Sequence, residues 1–388
     1  MSRTHLVSGN ELMLLQNGAE FFPQLCADID AAQRSIHLET YILASDETGN
    51  MVAQALRRAA MRGVEVRVLL DGFGSAELPE PFVDDLRAAG AEVLWFRREI
   101  SPFTMSRSRM RRLRRMHRKL AVVDGEVAFV GGINLIDDIP VDLDSDAPRL
   151  DYTVRLRGEL VDEVQAAMLR LWEMVSWAAL RKRIKAMGLH LRRVKHDPDS
   201  RVHLLLRDNV RHRRDIERAY IRAIAGAQRE VIIANAYFLP GRLFLRTLAN
   251  AAKRGVRVVL LLQGKVEYRL QHYATQALYG RLLRAGVEIY EYHASYLHAK
   301  VAVVDGEWST VGSFNIDPFS LLLAREANLS VVDEAFAADL RASLMLAIER
   351  DGRRVRRARS YLPIRMLARV SYGFVRFIIG FLGITKRH

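Results

Sequence analysis

Two histidines, each followed two residues later by a lysine, define the chemistry open to this 388-residue chain. His117-Arg118-Lys119-Leu120-Ala121-Val122-Val123-Asp124 closes with Gly131-Gly132-Ile133-Asn134. His298-Ala299-Lys300-Val301-Ala302-Val303-Val304-Asp305 closes with Gly312-Ser313-Phe314-Asn315. His, Lys, Asp, Gly and Asn hold the same relative positions in both, and each Asp is followed by Gly-Glu. An imidazole, an ammonium and an amide donor converging on one spot suit a phosphate. Two such sets give two histidines for one phosphorus atom: one attacks, the other serves as general acid and then base. The lysines supply the positive charge, so no metal and no other cofactor is expected. A lysine two residues from each His is also a poor neighbour for a cation.

These side chains need strands to position them. Val and Ala around each motif predict a strand, on which residues two apart share a face. His117 and Lys119 then point one way, as do His298 and Lys300. Asp124-Gly125 and Asp305-Gly306 predict hairpin turns. The return strands, Val127 to Val130 and Trp308 to Val311, bring Asn134 and Asn315 back toward the His and Lys. Asp124 and Asp305 complete the motif's catalytic set, although their place at the turns reads as shaping the hairpin. Glu39, Tyr41 and Tyr237 end strands that precede each half's core, where either the pocket or the packing can use them.

The doubled HxKxxxxDxxxxxxGxxN pattern resembles the phospholipase D superfamily, and the likeness covers nearly the whole chain. Within it the chain is most similar to bacterial cardiolipin synthases of the short form without N-terminal membrane helices. The narrower match rests on Leu38-Glu39-Thr40-Tyr41-Ile42, on Arg62 to Ser75, on Gly131-Gly132-Ile133-Asn134 and on Ala234 to Pro240. The resemblance implies two tandem α-β-α sandwich domains about a pseudo-twofold axis, with the active site at their interface. It implies His117 as nucleophile and His298 as acid/base, with Lys119, Lys300, Asn134, Asn315 and Ser313 on the phosphate oxygens. An acidic residue after the motif of the opposite half would orient each His: Asp151 and Glu326 fit. Gly132 stands where the second half has Ser313, a departure these synthases tolerate.

The organisation of the chain is a tandem α/β repeat. In the first half a helix is expected over Gly18–Arg34, a strand over Ser35–Ile42, a helix over Gly49–Met61 and a strand over Val64–Asp71. A helix over Phe82–Ala89 and a strand over Ala91–Phe96 follow. The second half repeats the order: strand Val202–Leu206, helix Asp215–Ala227, strand Val231–Tyr237, helix Leu243–Lys253, strand Val256–Leu262, helix Gln276–Ala285 and strand Val287–Tyr292. Arg62-Gly63-Val64 pairs with Arg254-Gly255-Val256. The expected domains are 1–172 and 201–350, joined by a basic linking helix, 173–200, and followed by a basic amphipathic tail, 351–388.

The net charge of +14 is concentrated. Arg107–Lys119, Arg181–Lys195 and Arg353–Arg387 hold 25 Lys or Arg and no acid, which leaves the remainder of the chain acidic. Such patches suit a polyanionic surface, a bilayer or nucleic acid. The first patch lies in an insertion before His117 that the second half lacks, and reads as a solvated loop or a basic flap beside the site. Trp172–Lys195 reads as a linking helix or a membrane-facing segment. The tail mixes aromatic and aliphatic residues with Arg. Its apolar run Phe377–Ile384 is far short of the ~20 residues needed to span a bilayer, so it reads as lying in the interface. No signal peptide is read, and one cysteine, Cys26, excludes an internal disulfide.

The expected function is phosphatidyl transfer between phosphatidylglycerol molecules, giving cardiolipin and glycerol. The expected setting is peripheral, at the anionic phospholipid surface of a bacterial inner membrane. The alternative is a phosphodiesterase that uses water, a phospholipid hydrolase or a nuclease. The apolar-basic tail favours lipid over nucleic acid, and no aromatic stacking platform is evident.

Overall fold

Runs of Val, Ile and Leu become strands wherever the sequence anticipates them. The computed structural model describes residues 3–98, 114–140, 146–179, 200–208, 212–267, 269–317 and 324–357. The basic flap 107–113, the stretch 180–199 and the tail from 358 onward, for which roles were expected, lie outside the described residues. The chain divides into two compact units, Met1–Asp138 with Tyr152–Leu204, and Ile139–Asp151 with Leu205–His388.

The first unit contains β1 (Thr4–Val7), β2 (Asn10–Gln16), α1 (Asn17–Ala31), β3 (Ser35–Thr40), α2 (Glu47–Met61), β4 (Glu65–Asp71), α3 (Glu80–Ala88), β5 (Glu92–Phe96), β6 (Arg115–Met116), β7 (Lys119–Val123), β8 (Val127–Gly131), β9 (Tyr152–Arg157) and α4 (Leu160–Ala179). Its sheet runs β1-β2-β9-β8-β7-β3-β4-β5. The strands β3, β4 and β5 are parallel, because α2 and α3 carry the chain back between them. The motif hairpin β7-β8 joins this block antiparallel to β3, with Leu38 opposite Ala121. Phe21, Phe22, Leu25 and Ile29 of α1 and Val52 and Leu56 of α2 bury one face with Leu38, Val68, Val123 and Phe129. Leu171 and Val175 of α4 cover the other face with Leu69, Phe96 and Met116.

The second unit contains β10 (Val202–Arg207), α5 (Asp215–Gly226), β11 (Glu230–Asn235), α6 (Arg242–Lys253), β12 (Arg257–Gln263), α7 (Arg269–Arg284), β13 (Glu288–Tyr292), β14 (Lys300–Val304), β15 (Trp308–Gly312), β16 (Ala324–Val332), α8 (Glu334–Asp351) and β17 (Gly352–Arg354). Its strand order is β10-β16-β15-β14-β11-β12-β13-β17. This repeats β2-β9-β8-β7-β3-β4-β5 position by position, so the duplication seen in the motifs extends to the whole topology.

The paired landmarks of the two halves are helix ends. Gly63 and Gly255 sit at φ +87° and +91°. Beyond α2 the Val64 N–H returns to the Ala59 carbonyl, and beyond α6 the Val256 N–H returns to Ala251, both at 3.2 Å. Only glycine takes that left-handed position without strain, and it turns each helix into the next parallel strand. At the other end of α2, the Asp46 carboxylate accepts the Gly49 N–H at 2.8 Å, a cap that contributes ~1 kcal/mol.

Three expectations shift. The helix expected over Gln276–Ala285 is α7, which starts earlier, at Arg269. The linking helix expected over Trp172–Lys195 is, where described, the end of α4, which belongs to the first unit. Leu171 and Val175 draw it onto the sheet, while Trp177 remains 71% exposed. Tyr237, expected at the end of a strand, lies beyond β11, which stops at Asn235.

Candidate active site

In the first unit Lys119 opens β7, and its Nζ donates to the His117 carbonyl at 3.0 Å. The same ammonium lies 5.1 Å from the centre of the Tyr41 ring. That ring meets the His117 imidazole edge-on, with centroids 4.7 Å apart. Tyr41 therefore borders both motif side chains. Glu39 pairs with Arg118 at 2.7 Å, both buried. Arg118 is the residue between His and Lys, so strand alternation turns it away from them.

In the second unit the His298 Nδ1 lies 2.5 Å from Asp151 Oδ2. Asp151 is one of the residues, Ile139–Asp151, that leave the first stretch of chain to join this unit. Backbone bonds flank the contact. The His298 N–H donates to Leu150 O at 2.9 Å, and the Leu150 N–H donates to Tyr296 O at 3.0 Å. Lys300 is fully buried and donates to the His298 carbonyl, repeating the Lys119 arrangement. Its Nζ is also 2.8 Å from His298 Nδ1 and 3.7 Å from Asp151. An ammonium only donates, so an Nδ1 that carries its proton bonds to the Asp151 carboxylate and not to Lys300. Burial pushes the Lys300 pKa below its ordinary value, while Asp151, Glu326 and Glu267 pull it back.

The turn aspartates have matching roles. Asp124 accepts the N–H groups of Gln33, Arg34 and Ser35 at 2.8, 2.7 and 2.9 Å. Asp305 accepts those of Gln228, Arg229 and Glu230 at 2.8, 2.8 and 2.9 Å. Asp124 and Gly125 both have positive φ, +54° and +67°, as do Asp305 and Gly306. Partial burial pushes each carboxyl up, but the backbone donors outweigh it and hold both below the ordinary range. Each Asp lies at the far end of a five-residue strand from its lysine, roughly 16 Å at the usual rise. The structure thus sets Asp124 and Asp305 apart from the His and Lys, as structural clasps on the start of β3 and β11. This is the hairpin-shaping role that their place at the turns suggested.

The motif glycines allow the strands to meet. A Cβ on Gly131 would stand 2.5 Å from the Cα of Thr153, and one on Gly312 would stand 2.5 Å from the Cα of Asn328. Three residues on, Asn134 and Asn315 are 8% and 4% exposed, and the Oδ1 of each has no hydrogen-bond partner among the described residues. Ser313 has a partner within the protein. It is fully buried, and its hydroxyl donates to Glu326 Oε2 at 2.6 Å. Glu326 is in turn a neighbour of Arg207, whose pKa burial lowers to about 10 against the pull of Glu326 and Asp317.

Two residues missed in the sequence hold the histidine strands. Asp71, fully buried, accepts the Met116 N–H at 2.7 Å, immediately before His117. It also accepts the N–H groups of Phe73 and Gly74, at 2.9 and 3.1 Å. Gln263 accepts the Leu297 N–H at 2.7 Å, immediately before His298. Asp71 and Gln263 stand at the same distance after Arg62-Gly63 and Arg254-Gly255. The internal repeat therefore carried the signal, masked by the change of residue type.

Comparison with known proteins follows this geometry. A family model described as "Cardiolipin synthase, PLD-like domain" matches residues 25–147 and 220–345. Cardiolipin synthase B of Shigella flexneri is 40% identical over 357 residues, covering 89% of this chain and 82% of the relative. A cardiolipin synthase of Geobacillus kaustophilus is 34% identical over 325 residues, covering 84% of this chain and 63% of the relative. Among solved structures, a phosphatidylserine synthase of Haemophilus influenzae Rd KW20 shares the fold at a TM-score of 0.70 and 15% identity, covering 95% of this chain and 94% of that one. Doubled motif, doubled topology and matched sequence agree: this chain belongs to the cardiolipin synthase family of phospholipase D-like proteins.

Proposed function

We propose that the chain is a phosphatidyltransferase that makes cardiolipin and glycerol from two phosphatidylglycerol molecules. The observation that carries this reading is His298 held by Asp151 beside a buried Lys300, within a chain 40% identical to cardiolipin synthases over most of its length. The two histidines serve one phosphorus. In the first step a His117 nitrogen bonds to phosphorus, the bond from phosphorus to the glycerol oxygen breaks, and His298 gives that oxygen a proton. In the second step the hydroxyl of another phosphatidylglycerol attacks phosphorus, His298 takes its proton, and the nitrogen–phosphorus bond breaks. Lys119, Lys300, Asn134 and Asn315 stabilise the charge that builds on the non-bridging oxygens. Asp151 fixes the tautomer and orientation of His298. Glu326 serves the first half's histidine.

The working surface in this proposal is the anionic face of a bacterial inner membrane, met peripherally. Two observations support it: the concentration of 25 basic residues in three acid-free stretches, and the lack, among the described residues, of any helix long and apolar enough to cross a membrane. The test is incubation of the purified protein with phosphatidylglycerol vesicles and, separately, with duplex DNA. Cardiolipin and glycerol in equal amounts are expected, and His298→Ala is expected to abolish both. Phosphatidic acid or nicked DNA without cardiolipin would overturn the transferase reading in favour of a hydrolase.

A further inference from the structure

The second unit carries a buried cation outside its motif. Arg207 ends β10 and is 2% exposed. Its Nη1 donates to the Ala324 carbonyl at 2.8 Å, and its Nε donates to the Arg213 carbonyl at 3.1 Å. Carbonyls satisfy N–H groups but leave the charge uncancelled, and a buried charge is costly unless it is paired. Among the carboxylates acting on this guanidinium, Glu326 comes first, ahead of Asp317, Glu217 and Asp208. Ala324 opens β16 two residues before Glu326, so the bond holds the guanidinium at the start of the strand that carries the acid. Glu326 is itself fully buried, accepts the Ser313 hydroxyl at 2.6 Å and acts electrostatically on the fully buried Lys300. One carboxylate thus serves two buried cations and a hydroxyl.

The internal repeat marks this arrangement as particular to the second half. In strand order β2 is the counterpart of β10, and it ends on Gln16. Asp151 stands two residues before Thr153, which pairs with Gly131, and Glu326 stands two residues before Asn328, which pairs with Gly312. Gly132 takes the place of Ser313. Where the second half sets a guanidinium and a hydroxyl, the first half has an amide and no side chain. We propose that Arg207 is a positioning residue for the transfer, whose fixed positive charge keeps Glu326 a charged acceptor in the orientation that the first half's histidine needs. The inference rests on the role given to Glu326 in the proposed function. A buried carboxylate without a counter-charge takes up a proton, and an oxygen that carries that proton no longer receives an imidazole N–H. Arg207 touches no substrate in this scheme and acts through Glu326.

The experiment is a double-mutant cycle on the rate of cardiolipin formation from phosphatidylglycerol vesicles, taken per folded molecule, with thermal unfolding followed in parallel. Arg207→Met is expected to lower the rate about tenfold or more. Arg207→Lys retains the charge but not the paired bonds to the Ala324 and Arg213 carbonyls, and is expected to recover most of that loss. With Glu326→Gln already present, adding Arg207→Met is expected to change the rate less than about threefold, because the group it serves has gone. That comparison holds even where Arg207→Met alone does not fold, since removing both charges leaves neither buried by itself. A larger further loss in the Glu326→Gln background, or Arg207→Lys no faster than Arg207→Met, overturns the inference and leaves Arg207 a purely structural residue. Glu326→Gln at the unaltered rate instead overturns the role given to Glu326. No cardiolipin from the unaltered chain overturns the transferase reading itself.

Discussion

Replacing Asp151 by Asn tests the acid/base assignment most directly. The two side chains have nearly the same volume, and Asp151 is 3% exposed, so the change removes a charge with little change in packing. That charge lies 2.5 Å from His298 Nδ1 and 3.7 Å from Lys300 Nζ. An imidazolium forms at His298 whenever it takes the acceptor's proton. Over a charge separation of ~4 Å at an effective dielectric constant of ~20, the attraction is about 4 kcal/mol. At about 1.4 kcal/mol per factor of ten, losing most of it slows the reaction roughly 10²- to 10³-fold. The asparagine carbonyl still accepts a hydrogen bond, which keeps the loss below the full Coulomb value. Lys300, already pushed down by burial, loses the first of the charges that pull it back. The assay is the initial rate of cardiolipin formation from phosphatidylglycerol vesicles, with thermal unfolding followed in parallel. A rate within about tenfold of the unaltered chain, at an unchanged melting temperature, would refute the role given to Asp151.

Further outcomes are expected elsewhere. Asp124→Ala or Asp305→Ala strips the acceptor from three backbone N–H groups, costing about 2 kcal/mol of stability. Turnover per folded molecule should stay within a few-fold; a loss as large as that of His298→Ala would restore these residues to the chemistry. Gly312→Ala sets a Cβ 2.3 Å from the Ala327 carbonyl oxygen, so the β15–β16 pairing must open at a cost of roughly 3 kcal/mol or more, read as a fall in soluble yield and melting temperature. Burial first, and then Arg67, lower the His37 pKa from 6.5 to about 4. The unfolded chain thus binds the proton first on acidification. The contribution is complete above pH ~6.5 and is lost as pH falls toward ~4, by at most about 3 kcal/mol. His37→Phe should flatten that part of the stability–pH curve, and an unchanged slope would count against the buried neutral histidine.

The local chemistry was legible in the sequence because it is carried by short-range spacing. His117 with Lys119, and His298 with Lys300, share a strand face by the two-residue period alone. The Asp-Gly pairs announced their turns, and the apolar runs announced strands and helices at nearly the positions observed. Repetition did the rest: Arg62-Gly63 and Arg254-Gly255 mark the same helix end in each half. What spacing cannot carry is contact between distant residues. Asp71 reaches Met116 across 45 positions and Gln263 reaches Leu297 across 34, and neither residue type repeats. Ser313 carries a hydroxyl suited to phosphate, yet the return of β16 beside β15 brings Glu326 onto it. Asp124 and Asp305 sit inside a chemical motif, and only the register of β3 against β7 and of β11 against β14 shows their carboxylates clasping backbone. The sequence by itself determined which groups exist and which face they share; tertiary structure decided which of them are already satisfied by the protein, because a hydrogen bond is committed only when folding brings its partner within reach.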